Sequence, residues 1–351
     1  MIVVTGTKRS GTSMWMQILV NGGFQYIGEA FPQDWGRVIK DANPEGFYES
    51  TLAGGIWWRS NPSPTTGAWL HPDSVKQFAV KVFIPGVVRT DISYLTRVVA
   101  TVREWRQYEA SLRRLFRIQS DNKGEEFDEK KVAPLPPGYD WWMENFDLVR
   151  DIATRRYAVH VLSYGSLLAD PEQTVSKVFE WIGSGDKHKA ARIVDPKFNT
   201  QRKEEAQRFT SEHAEVFDEY YTRIHTGKPL DQSFIGKMNE THNKIVEHIK
   251  EIAPGYLRRR YALDWEDYTP EVMEKEKKRQ AALEKRAKAA KAGKSTAKGG
   301  KSTAKGGKST AKGGKNTAKA AVAAKGRKAG TSTKPNVNAK IKVKKKAGQG
   351  R

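Results

Sequence analysis

The sequence predicts an α/β protein: a parallel sheet flanked by helices, then a helical C-terminal extension and a disordered basic tail. Two patterns carry that expectation. Short apolar runs with β-branched content alternate with segments of helical period, as expected for helices layered on a parallel sheet. Charge is the second pattern. The 351 residues contain 62 Lys+Arg and 40 Asp+Glu, yet residues 285–351 hold 22 of the basic residues and none of the acidic ones. The whole +22 formal charge therefore belongs to that stretch, which also lacks aromatic residues and cannot bury a core. The expected division is an α/β domain over 1–204, a helical extension of the same domain over 205–284, and a tail over 285–351.

Taken in order, Ile2-Val3-Val4 forms the first strand, Thr5-Gly6 breaks it, and Met14 to Val20 begins a buried helix. Further strand-like runs occupy Phe78 to Ile84, Val98 to Val102 and Tyr157 to Leu162. Helices are predicted over Arg106 to Ile118, Trp141 to Arg155 and Pro171 to Ile182. The last has Asp170 as N-cap, Pro171 in the first turn and Gly183 as its stop. Gln119 to Gly138, polar and then proline-rich, reads as a surface loop or lid. In the tail, KSTAKGG begins at Lys294, Lys301 and Lys308, and KNTAKAA follows from Lys315. No apolar a/d positions recur, so this seven-residue period makes no coiled coil. It is low-complexity, solvated sequence.

Composition excludes several classes. With no Cys, a disulfide scaffold, thiol catalysis and Cys-ligated zinc are ruled out. All ten Trp precede residue 285, which argues against a disordered chain or a uniformly basic nucleic-acid coat. No apolar run approaches the ~20 residues of a membrane span, and no signal-peptide pattern precedes the first strand. A cytoplasmic location without a membrane span is expected. The seven His show no metal-ligand spacing, and no metal is expected.

The chemistry concentrates near the amino terminus. Gly6-Thr-Lys-Arg-Ser-Gly11-Thr12-Ser13 has the two glycines of GxxxxGK[ST] between a strand and a helix. Backbone N–H groups of such a turn, with the helix N-terminus, favour an anion. Lys8, Arg9, Ser10, Gly11, Thr12 and Ser13 are the candidate binding residues. Thr12 stands where the Walker lysine would be, and no acidic strand end offers itself to magnesium, which argues against γ-phosphoryl transfer. A purely structural glycine turn is the alternative.

Arg9-Ser-Gly-Thr-Ser13 after a strand resembles the 5′-phosphosulfate loop of the sulfotransferases. Their cytosolic members read Lys-Ser-Gly-Thr-Thr and their tyrosylprotein members Arg-Ser-Gly-Thr-Thr. Val99-Ala-Thr-Val-Arg103, with Ser111 eight residues on, is similar to the family's 3′-phosphate motif. Tyr164-Gly-Ser-Leu-Leu-Ala-Asp-Pro-Glu172 resembles its strand-Tyr-x-x-Leu-x-x-Asp-Pro turn, where the Tyr approaches adenine. Val80-Lys81-Val-Phe-Ile-Pro85 resembles the strand that carries a catalytic Lys and His. Asn43 to Glu49 and Val194 to Phe198 are similar to stretches of bacterial members. The likeness spans roughly residues 1–205.

The resemblance implies a P-loop-type parallel sheet and transfer of a sulfonate group from 3′-phosphoadenosine-5′-phosphosulfate (PAPS), a co-substrate, to a hydroxyl or amine on a small-molecule or biopolymer acceptor. Arg9 would hold the bridging oxygen and the transferring sulfonate, Thr12, Ser13 and the loop amides the 5′-phosphate, and Arg103 and Ser111 the 3′-phosphate. Tyr164 would meet the base and Lys81 would be catalytic. Phe83 stands at the family's His position and cannot take a proton. Glu29, twenty positions after Arg9 as in the tyrosylprotein branch, is the leading base, with Glu49 second and His71 third. Met14, next to Trp15, stands where cytosolic members place a Trp against adenine, and either residue alternatively belongs to the core. Trp57-Trp58 and Trp141-Trp142 are candidates for an acceptor pocket or for core packing. The other reading is a non-catalytic domain that binds a nucleotide or polyanion in a nucleic-acid-associated protein. For the tail, nucleic acid comes first among polyanions. An anionic membrane surface, an acidic acceptor and a solubilising appendage stay open.

Overall fold

The structure, a computed structural model, describes residues 1–31, 40, 43–63, 67–124, 126–128, 134–194 and 206–261. The chain divides into two units, Met1–Met273 and Glu274–Arg351, and every described residue belongs to the first. The tail repeats, residues 195–198 and, within the expected lid, residues 125 and 129–133 lie outside the described residues.

Five strands, β1 (Ile2–Gly6), β2 (Gln25–Ile27), β3 (Phe78–Lys81), β4 (Arg97–Val102) and β5 (Val159–Ser163), form one parallel sheet in the order β2-β3-β1-β4-β5. All five residues of β1 are buried, as expected for a central parallel strand covered on both faces. The register sets Val4 beside Lys81 and Val99, and Gly6 beside Thr101. The chain leaves β1 towards β2 and leaves β4 towards β5. The carboxyl edge between β1 and β4 is therefore a topological switch point, where open α/β sheets bind ligands.

The helices are α1 (Thr12–Asn21), α2 (Ile84–Arg89), α3 (Trp105–Lys123), α4 (Tyr139–Arg155), α5 (Tyr164–Ala169), α6 (Pro171–Ile182), α7 (Lys187–Ala191), α8 (Ala214–Thr226), α9 (Gln232–Ile252) and α10 (Pro254–Tyr261). Trp15, Ile18 and Leu19 of α1 pack with Ile2, Val4 and Val99 of the sheet and Val175 and Phe179 of α6. Val3, Val80 and Val98 meet Ile56, Val87 and Tyr94 in a separate cluster. Trp105, Trp141 and Trp142 share a third with Phe217, Tyr220, Phe234 and Ile245, so α8 and α9 join the same core as α3 and α4.

The caps follow the sequence. Asp170 accepts a hydrogen bond from the Gln173 N–H at 2.9 Å, and Gly183 ends α6 with its N–H on Phe179 O at 2.8 Å. Three boundaries differ from expectation. β2 carries no apolar run, because two of its three residues are exposed at a sheet edge. The α3 helix continues to Lys123 and stops at Gly124, so the loop expected from Gln119 starts later. Ile84 opens α2 and does not end β3, since Pro85 in the first turn lacks an N–H for the ladder and suits a helix start.

Asp218 fastens α8 to α3. It accepts from Trp105 Nε1 at 2.7 Å and from both terminal nitrogens of Arg106 at 2.6 and 3.1 Å. Its side chain is 45% exposed, so solvent screens the pair. We expect Asp218→Ala to lower stability by about 1 kcal/mol, read as a reduced denaturant midpoint at constant slope.

Candidate active site

The turn after β1 needs its glycines. A Cβ on Gly6 would lie 2.4 Å from Ser10 Oγ and 2.5 Å from Thr101 O. One on Gly11, at φ +100°, would lie 2.6 Å from the Tyr164 ring. Arg9 takes a left-handed conformation at φ 66°. Ser10 is buried; its hydroxyl donates to Thr7 O at 2.7 Å and its carbonyl accepts from Thr101 Oγ1 at 2.9 Å, which ties the loop to the end of β4. Trp15 N–H reaches Gly11 O at 3.1 Å, so the earlier amides of α1 open toward the loop. Gly11→Ala should push Tyr164 aside and destabilise the turn, seen as a lower melting temperature together with weaker phosphate binding.

Residues a hundred positions apart meet at this loop. Arg9 Nε donates to Ser111 Oγ at 3.1 Å, and an Arg103 terminal nitrogen donates to Arg9 O at 3.1 Å. The Arg103 guanidinium also lies over the Tyr164 ring, 4.9 Å from its centroid. Burial and the positive charge of Arg103 hold the Arg9 guanidinium down to about 10, and burial also lowers Arg103. Arg114, exposed and three residues after Ser111 on α3, adds to the charge that Arg9 feels. Crowded cations in a partly desolvated crevice make a strong field for a multiply charged anion.

Lys81 brings a further cation from the neighbouring strand. Its side chain is 2% exposed, and its ammonium donates to Glu49 Oε1 at 2.7 Å, to Ser13 Oγ at 3.2 Å and to Phe47 O. Ser13 Oγ also donates to Phe47 O at 3.2 Å. Burial lowers the Lys81 ammonium, and Glu49 opposes that shift. A lysine from β3 thus sits at the N-terminus of α1, where Thr12 replaces the lysine of the ordinary glycine-loop pattern.

The remaining expected residues separate clearly. Glu29 is exposed and joins the site through its backbone, with its N–H on Glu49 O at 2.8 Å; Glu49, not Glu29, holds Lys81. Lys8 is exposed, with its ammonium 6.0 Å from the Phe83 ring centroid. His71 lies in the loop bonded to Tyr94, beside the amino end of β1 and away from the glycine loop. Trp15, Trp141 and Trp142 are core residues, while Trp58 is 68% exposed. Among the described residues no group of three or more His, Asp or Glu is arranged for a metal ion. No helix among them is long and apolar enough to cross a membrane.

Three contributors were not singled out from the sequence. Arg114 was open to detection by its i, i+3 relation to Ser111. Tyr221 and His225 of α8 had no local signal. His225 Nδ1 lies 2.8 Å from Ser163 Oγ at the end of β5, and the Tyr221 hydroxyl would stand 2.6 Å from a Cβ on Gly165.

No family model matches the sequence, and no curated protein matches it. The chain is thus defined by its own fold and site: a parallel α/β protein with a glycine loop and clustered cations at the sheet's switch point.

Proposed function

We propose that the protein transfers a sulfonate group from PAPS to a hydroxyl or amine acceptor. The observation that carries this reading is the convergence of Arg9, Ser111, Arg103 and Tyr164 on one crevice beside the glycine loop. A donor with separate 5′ and 3′ anionic ends matches two adjacent guanidiniums better than a single phosphate does. The loop amides and Thr12 and Ser13 hold the 5′-phosphate, Arg9 the bridging oxygen, and Arg103 and Ser111 the 3′-phosphate.

In the transfer, a lone pair of the acceptor forms the new bond to sulfur. The bond from sulfur to the phosphate oxygen breaks, and its electron pair leaves with adenosine 3′,5′-bisphosphate. Catalysis then rests on alignment and charge stabilisation. The acceptor proton passes to a carboxylate. Glu49 is favoured over Glu29 for that role because its side chain already lies beside Lys81 and Ser13. The test follows transfer of the label from ³⁵S-labelled PAPS to an acceptor panel, together with release of unlabelled adenosine 3′,5′-bisphosphate. Acceptor-dependent release that Arg9→Ala abolishes supports the proposal, and release unaffected by that substitution contradicts it.

The tail is proposed to bind nucleic acid through charge alone. Retention on double-stranded DNA should then fall steeply and linearly on a log–log salt plot, whatever the sequence.

A further inference from the structure

A cavity of about 230 Å³ opens at the other edge of the sheet, lined in part by Trp57, Trp69, His71, Asp91 and Ser93. Its position is fixed by Tyr94, another lining residue, whose carbonyl accepts from the amino group of Met1 at 2.9 Å. The five residues of β1, at about 3.3 Å each, separate it from the glycine loop. It is therefore not part of the site above.

The walls are built and held. Buried Asn61 clamps Leu70 from both sides, with Nδ2 on Leu70 O at 3.0 Å and Oδ1 accepting Leu70 N–H at 2.8 Å, and it also donates to the Tyr94 hydroxyl at 2.6 Å. This fixes the flanking Trp69 and His71. On the other side, the Trp57 N–H donates to Ser60 Oγ at 3.1 Å, and Ser60 Oγ donates to Gly55 O at 2.7 Å. Yet the aromatic surface so positioned faces water: Trp69 is 61% exposed, and Trp58, whose ring packs edge-on against Trp57 at 5.6 Å, is 68% exposed. Contiguous exposed aromatic surface on a fixed frame marks a binding site.

The lining selects the ligand class. Indole faces are electron-rich and attract the slightly positive C–H groups on one face of a sugar ring. His71, Ser93 and Asp91 offer donors and acceptors for its hydroxyls. Among the described lining residues Asp91 is charged and none is Lys or Arg; Arg59 and Arg89 lie over Trp57, 5.4 and 5.9 Å from its ring centroid, and the acid at the wall disfavours an anion. A membrane-seeking patch would instead be convex and free of acid. The volume lies below the roughly 300 Å³ at which drug-sized pockets begin, so it suits one ring. We propose that this cavity binds one residue of a neutral saccharide, a function separate from the transfer reaction.

The test is saturation-transfer NMR on the full chain with cellotriose, maltotriose, chitotriose and mannotriose, at high salt to suppress the tail. The expected result is transfer to the C–H protons of one sugar ring for at least one of the four. That signal should fall at least tenfold in Trp69→Ala and in His71→Ala. Both side chains are largely exposed, so the variants should melt like the parent. No transfer to any of the four, or transfer unchanged in Trp69→Ala, overturns the proposal. So does binding to phosphatidylcholine vesicles that Trp69→Ala removes, which would assign the patch to a lipid surface.

Discussion

Glu49→Ala is expected to cost about 3–5 kcal/mol of stability, the usual penalty for removing one partner of a buried ion pair. The Lys81 ammonium is shut from water, and Glu49 is its only anionic hydrogen-bond partner among the described residues. Without Glu49 it keeps only the Ser13 hydroxyl and the Phe47 carbonyl as neutral acceptors. Because Glu49 is itself 12% exposed, some water enters and the lower end of the range is the better expectation. Burial already sets Lys81 below its ordinary 10.5, and the substitution deepens that shift. Between the folded and unfolded values the unfolded chain binds more protons, so stability rises with pH, by up to about 1.4 kcal/mol per unit. The variant should therefore recover stability as pH rises through the folded value towards 10.5, more steeply than the parent. Lys81→Met should cost less, since it leaves no buried charge and Glu49 can reach water. Urea titrations at several pH values measure all three, and a Glu49→Ala variant of parental stability with a flat profile would contradict the buried pair.

Arg103→Ala is expected to weaken binding of adenosine 3′,5′-bisphosphate by about 1.5–3 kcal/mol, or roughly 10- to 150-fold, the worth of a charged hydrogen bond. Affinity for AMP, which lacks the 3′-phosphate, should hardly change. Arg103 also donates to Arg9 O, so the variant removes a loop contact as well, and the AMP control separates the two effects. If AMP affinity falls equally, Arg103 acts by positioning the loop. Arg103→Lys should recover part of the loss, since a point charge replaces the two-pronged donor.

The sheet was legible where burial imposes continuous apolar runs. β1 and β4, buried along almost their whole length, appear in the sequence as Ile2-Val3-Val4 and Val98 to Val102. β2 was invisible because an exposed edge strand of three residues needs no apolar signal. In the site, the glycines of the loop and the spacing of Arg103 and Ser111 were readable, since local backbone geometry and one helix face dictate them. The Glu49–Lys81 pair was not. Each residue was visible alone, but their 2.7 Å contact depends on how the segment around Phe47 crosses the N-terminus of α1, which no local pattern encodes. The tryptophans divide for the same reason: Trp141 and Trp142 lie on the inner face of α4, whereas Trp57 and Trp58 sit in a loop whose path only tertiary contacts fix.

The measurement that bears most directly on the central claim is calorimetric titration of the full-length protein with adenosine 3′,5′-bisphosphate, with AMP and ATP as controls and Arg103→Ala alongside. Binding that is tighter than to either control and is lost with Arg103 is the predicted result. Equal binding of all three nucleotides, or binding indifferent to Arg103, would contradict the assignment of this crevice to a 3′-phosphorylated sulfonate donor.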